Sequence, residues 1–156
     1  HLQLSGREVR IVSIVELDRL QGDAKINAEI VRRSEIDVKV VQDAETIAEC
    51  VRGVPTIVDA LLGTGARGSL RGIYAEAVES ANGSVSMRFA LDLPTGLDCD
   101  TGDCSDPTFQ ADHTITFVAP KIGFHSDDAV KHVGEVHVVS IGAPKKLLEQ
   151  FLLRKS

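Results

Sequence analysis

At 156 residues the chain is sized for a single domain, able to bury roughly two thirds of its unfolded surface, and leaves no room for a second full domain. Hydrophobic residues at 43% and charged residues at 26% match ordinary globular usage and exclude a disordered or low-complexity chain. A formal charge of −6 argues against a general phosphate-backbone binder, and no apolar run approaches the roughly 18 residues of a membrane helix, so neither nucleic acid nor membrane is an expected partner.

Aromatic residues make up only 4%, with no Trp, so the core has to rest on Val, Ile, Leu and Ala. Residues 9–15 (VRIVSIV) read as a buried strand, followed by a helix opened by Asp23 as its cap and running through Ile26, Ile30 and Val31. Residues 38–41 are a second strand, 44–51 a second helix, and 56–62 (TIVDALL) a third strand, apolar on both faces except at Asp59. After a Gly-rich loop come a helix over 73–81 and a strand over 87–93. Strands over 114–118 and 136–141 flank a short helix near 127–132. Pro144 opens a last helix at its favoured first position, with Leu147, Leu148, Phe151 and Leu152 as the apolar stripe. Strands apolar on both faces, alternating with helices, predict a Rossmann-like three-layer α/β/α sandwich around a mostly parallel sheet. Ligands of such folds sit beyond the carboxyl ends of the strands, here the segments that start at Gly63, Pro94 and Ala119.

Gly63, Gly65 and Gly68 (GTGARG) match the spacing of a dinucleotide-binding loop, with Asp92 placed for a ribose hydroxyl. The match by itself would suggest an NAD(P)-dependent dehydrogenase. However, Ser69, Leu70, Arg71 and Gly72 intervene before the helical pattern starts, whereas that fingerprint opens its helix from within. Asp59 inside an apolar strand requires a cation or several hydrogen-bond donors; it is either a turn-bracing carboxylate or an oxygen ligand for a hard cation. Asp92 stands in the same context, before the sharp turn Pro94-Thr95-Gly96. Arg67 and Arg71 in the glycine loop are by default solvated, yet suited to phosphate, and Lys121 is balanced between surface and ligand-facing roles. The five histidines are scattered without metal spacing, and His113 and His137 read as strand-flanking residues. Asp98, Asp100 and Asp103 read as an acidic surface loop. Three cysteines without zinc spacing read as reduced thiols in a cytoplasmic protein.

Four segments taken together, VDALLGTGARGSLRG, ALDLPTGLDCDTG, ADHTITFVAPKIG and GEVHVVSIGAP, resemble in order the NAD(P)H-hydrate epimerase family, the YjeF-type N-terminal domains. The resemblance implies an isomerase that interconverts the R and S forms of hydrated NADH or NADPH. It implies a potassium ion held by Asp59 and Thr95, and a substrate-binding segment of Gly63, Thr64, Gly65, Ala66, Arg67, Gly68 and Ser69. Asp92 is implied as a further substrate contact, and its place makes it the candidate catalytic acid or base. Family members carry a first strand and an Asn/Gly-rich loop before the position that matches His1, so residues 1–156 are expected to be one domain lacking that segment, and a piece of a longer chain. Its absence predicts weak activity and exposed edges that favour association, as in a homodimer. A non-catalytic binding module of the same fold is the alternative from another class.

Overall fold

The structure is a computed structural model that describes residues 1–144 together with 146 and 148. The predicted closing helix therefore falls almost wholly outside the described residues. Ten elements follow in chain order: β1 (Arg10–Ser13), α1 (Gly22–Arg33), β2 (Asp37–Val40), α2 (Ala44–Val51), β3 (Thr56–Asp59), α3 (Ile73–Asn82), β4 (Met87–Leu91), β5 (His113–Phe117), α4 (Val130–Val133) and β6 (Glu135–Val139). Single 3₁₀ turns lie at Gln3–Ser5, Leu17–Arg19 and Ile122–His125.

All strand pairs are parallel, as the both-face apolar pattern predicts, but they form two sheets. β1 pairs with β2, and β3, β4, β5 and β6 lie side by side in sequence order. Successive parallel neighbours require every connection to cross back over a face of the sheet. All four carboxyl ends of the larger sheet consequently point the same way.

Three apolar clusters hold the elements together. Val78 and Ala81 of α3 meet Ala90, Phe109 and Ala111, with Ile57, Leu61 and Leu70 against them. Val41, Ile47, Cys50 and Ala77 join the smaller sheet and α2 to α3, with Val12 and Ile14 packed alongside. Leu93, Leu97, Phe124, Ala129 and Val133 close the far end. Burying a side chain as completely as Val78, in the middle of these clusters, contributes roughly 1.5–3 kcal/mol.

Several boundaries differ from expectation for identifiable reasons. Asp23 lies in the first turn of α1, and Gln21 occupies the cap position without a side-chain bond. At α2 the capping rule works: Asp43 accepts the Thr46 N–H at 2.8 Å, and that bond holds its carboxyl below the usual range. β3 stops at Asp59 and β4 at Leu91, three and two residues short of expectation, because Asp59 and Asp92 bend the chain toward other partners. α4 starts at Val130, since Ser126 takes the Ala129 N–H on its hydroxyl and the Val130 N–H on its carbonyl. β1 buries no residue fully, β3 leaves Val58 exposed, and α1 buries no residue at all.

Candidate active site at the strand ends

Asp59 ends β3 with its carboxylate turned inward, 4% exposed. Its Oδ2 accepts the Thr95 N–H at 2.7 Å; Oδ1 accepts the Thr95 hydroxyl at 2.8 Å and the Leu61 N–H at 3.1 Å. Thr95 Oγ1 in turn accepts the Leu62 N–H at 3.2 Å. The turn after β4 is thereby tied to the start of the glycine loop. Burial pushes the Asp59 carboxyl above its usual range, and the bonds from Thr95 and Leu61 pull against that without overcoming it. Of the two roles open from the sequence, Asp59 has the geometry of a turn brace, with three donors. Among the described residues no Lys or Arg pairs with it.

Asp92 follows β4 with φ of 70°, a left-handed conformation that Asp tolerates better than most residues. Its N–H donates to the Ile115 carbonyl at 2.8 Å, which extends the β4–β5 ladder by one bond while the side chain swings to the crevice. There Oδ1 meets Lys121 Nζ at 2.6 Å, with both side chains about four-fifths buried. The Thr116 hydroxyl reaches the same oxygen at 3.4 Å, and Lys121 also donates to the Phe117 carbonyl at 3.3 Å. Lys121 can be there because Val118, at φ of 71°, reverses the chain directly after β5.

The glycine loop runs from Gly63 to Ser69, its ends anchored by Leu61 and Leu70 in the middle cluster. Between these anchors Gly63, Thr64, Gly65, Gly68 and Ser69 are exposed, and a Cβ built on Gly63, Gly65 or Gly68 would meet no atom within 4 Å. Packing does not explain the absence of side chains at Gly63 and Gly65, and neither has a positive φ. The helix opens only at Ile73, which removes the geometry of a dinucleotide fingerprint. Arg67 does not stand free for phosphate. It donates to the Thr64 and Ala66 carbonyls at 2.9 and 3.0 Å and pairs with Asp98 and Asp100 at 3.3 and 2.6 Å. The acidic loop is therefore a clamp on the glycine loop. Asp98 is held below the usual carboxylate range chiefly by the Thr101 and Asp100 N–H groups that it accepts.

The model of the YjeF-related protein N-terminus matches residues 1–123. The chain belongs to that family. Among curated relatives, it is 51% identical over 151 residues to the NAD(P)H-hydrate epimerase of Rhodopirellula baltica, covering 97% of this chain and 62% of that one. It is 37% identical to the NAD(P)H-hydrate epimerase of Pirellula staleyi, over 96% of this chain and 67% of the relative. The bifunctional NAD(P)H-hydrate repair enzyme Nnr of Thermofilum pendens is 36% identical over 99% of this chain, which spans 30% of it. This chain thus spans under two thirds of the first relative. The crystal structure of yeast ynu0 superposes with a TM-score of 0.75 at 20% identity, over 97% of this chain and 62% of that one, and supports the Rossmann-like α/β sandwich.

In this YjeF-type domain the residues singled out from sequence fall into two constellations. Asp59 and Thr95 are in contact, and Asp92 meets Lys121; the glycine loop joins the first pair through Leu61 and Leu62. Arg71 is exposed and makes no side-chain bond among the described residues. Thr116, fully buried beneath Asp92, was not legible as a site residue. A threonine at an inward position of an apolar strand is the signal that could have found it.

Proposed function

We propose that the domain is the epimerase part of an NAD(P)H-hydrate repair enzyme, interconverting the R and S forms of hydrated NADH or NADPH. The observation that carries the reading is the Asp92–Lys121 pair at 2.6 Å, at the strand ends beside a glycine loop open to solvent. The names of the relatives agree with it. The exposed loop backbone at Gly63, Thr64, Gly65, Gly68 and Ser69 suits a pyrophosphate, with the Ala66 N–H, bonded to the Gly63 carbonyl at 3.0 Å, and Arg67 holding the loop in shape.

The inverted carbon carries a hydroxyl and adjoins a ring nitrogen. Protonation lets the hydroxyl leave as water while the nitrogen lone pair closes a double bond to carbon. Water then adds to the opposite face and loses a proton, so atoms and charge balance with no redox change. Asp92 is the candidate group that gives and retakes the proton. Lys121 fixes its carboxylate and is a second proton donor within reach.

Asp59 and Thr95 offer an all-oxygen donor set, and a buried carboxylate with no basic partner suits a hard monovalent cation such as potassium. Asp59 Oδ and Thr95 Oγ1 would hold it, and it would supply a fixed positive charge beside the glycine loop. Epimerisation of the purified R form by full-length protein carrying Asp92→Asn tests the mechanism. Activity should fall by at least about a hundredfold; near-full retention removes Asp92 from it.

A further inference from the structure

The parallel register of β5 on β6 sets His113 opposite Glu135 and Ile115 opposite His137. Alternate residues of a strand share a face, so His113, Glu135 and His137 project from the same side of the sheet. Their polar atoms converge. His113 Nδ1 lies 3.1 Å from His137 Nε2, and Glu135 sends one oxygen to each ring, Oε2 at 3.6 Å from His113 Nδ1 and Oε1 at 3.7 Å from His137 Nε2. Phe89 stacks on the His113 ring with centroids 5.1 Å apart and an interplanar angle of 20°, which fixes the ring's orientation.

A lone N–H···N bond between the rings accounts for only part of this arrangement, because both glutamate oxygens then stand beyond hydrogen-bonding distance. A shared cation gives all three groups one common partner, since one ligand atom from each lies within 4.8 Å of the others. Two ligand atoms at about 2.0–2.1 Å from a tetrahedral zinc ion are themselves roughly 3.3 Å apart, close to the 3.1 Å between the two ring nitrogens, and a small rotation of the exposed Glu135 carboxylate brings one of its oxygens, now 3.6 or 3.7 Å from a ring, to that spacing. Two imidazoles and one carboxylate are the donors of zinc and its first-row neighbours, not of alkali or alkaline-earth ions. The side chains are 27%, 42% and 69% exposed for His113, His137 and Glu135, so an ion can enter and keep a water in the fourth position.

We propose that His113, Glu135 and His137 form a binding site for a divalent transition metal of the zinc type, which staples β5 to β6. His113 and Glu135 are the first residues of their strands, whereas Asp92 lies past the end of β4 and Lys121 past the end of β5. Thr116, whose hydroxyl reaches Asp92, points to the opposite face of the sheet from His113, Glu135 and His137, so this site lies across the sheet from the crevice and does not depend on the epimerase reading.

The test is titration of metal-free protein with zinc chloride in a non-thiol reductant, followed by calorimetry and thermal unfolding. One zinc per chain should bind, and Tm should rise by about 5–10 °C at a zinc concentration roughly a hundredfold above Kd. His137→Gln and Glu135→Gln should each weaken binding at least about tenfold. Cobalt(II) should give the visible bands of tetrahedral coordination in the parent protein and lose them in both variants. These two side chains are the more exposed of the three, so folding is retained even where His113→Gln disturbs the stack on Phe89. Absence of any zinc-dependent shift overturns the site. An equal shift in all variants also overturns it, and assigns the ion to the thiol and carboxylates of Asp98, Cys99 and Asp100, which likewise gather within 4.8 Å.

Discussion

Single residues at the strand ends carry opposing demands, and Asp59 shows it most directly. Its carboxyl is held above the ordinary value near 4 by burial, so the folded state binds the proton more tightly than the unfolded chain does. In that window the native state carries more protons, and stability must fall as pH rises from the unfolded value through the raised folded one. Urea unfolding across mildly acidic pH in tetramethylammonium buffer should show this decline, and Asp59→Asn should flatten it. Replacing tetramethylammonium by potassium should raise Tm above that window, because a bound cation favours the ionised form. An unchanged Tm would count against the cation site. Thr95→Val removes one donor from Asp59 and the acceptor of the Leu62 N–H, and should cost about 2–3 kcal/mol by urea unfolding, while Thr95→Ser should recover most of it.

Two glycine environments divide stability from binding at the level of elements. Gly123 lies where the 3₁₀ turn Ile122–His125 presses on the acidic loop; a Cβ there would come 2.5 Å from the Asp98 carbonyl and 2.7 Å from the Gly102 nitrogen. Gly123→Ala should therefore destabilise the domain by about 1–3 kcal/mol in denaturant titrations. Gly65→Ala meets open space, so its unfolding midpoint should stay within about 0.5 kcal/mol of the parent while affinity for the nucleotide falls. Equal nucleotide affinity in Gly65→Ala and the parent would show that the substrate does not approach this backbone. Arg67 links the same loops from above, and Arg67→Met should speed amide hydrogen exchange over residues 63–69 without a comparable change in the core strands.

Over the whole molecule, β3 to β6 bury one face better than the other. Ala90, Thr114 and Thr116 on one side are fully covered, whereas Val58, Met87 and Val139 on the other are 45%, 51% and 43% exposed. Ile26 and Ile30 of α1 are exposed as well. Apolar surface of this kind drives association, so the 156-residue chain should bind a hydrophobic dye and sediment faster as its concentration rises. Constant sedimentation across a hundredfold range of concentration would contradict that expectation.

The alternation of apolar runs was enough to place every described strand and helix within a few residues, and to make the sheet parallel, because burial on both faces leaves no polar period. The order of motifs pointed to the family and, through the resemblance, to Thr95, while the strand-end rule pointed to Asp59, Asp92 and the glycine loop. What sequence could not supply was pairing across distance. Asp59 meets Thr95 over 36 positions and Arg67 meets Asp100 over 33, contacts created only when parallel strands bring their ends together. The pairing of Lys121 with Asp92, and of His113 with His137 24 positions away, follows from strand register and from turns at Asp92 and Val118. Local pattern encodes which residues are buried; only the packed sheet decides which polar groups share the space at its two ends.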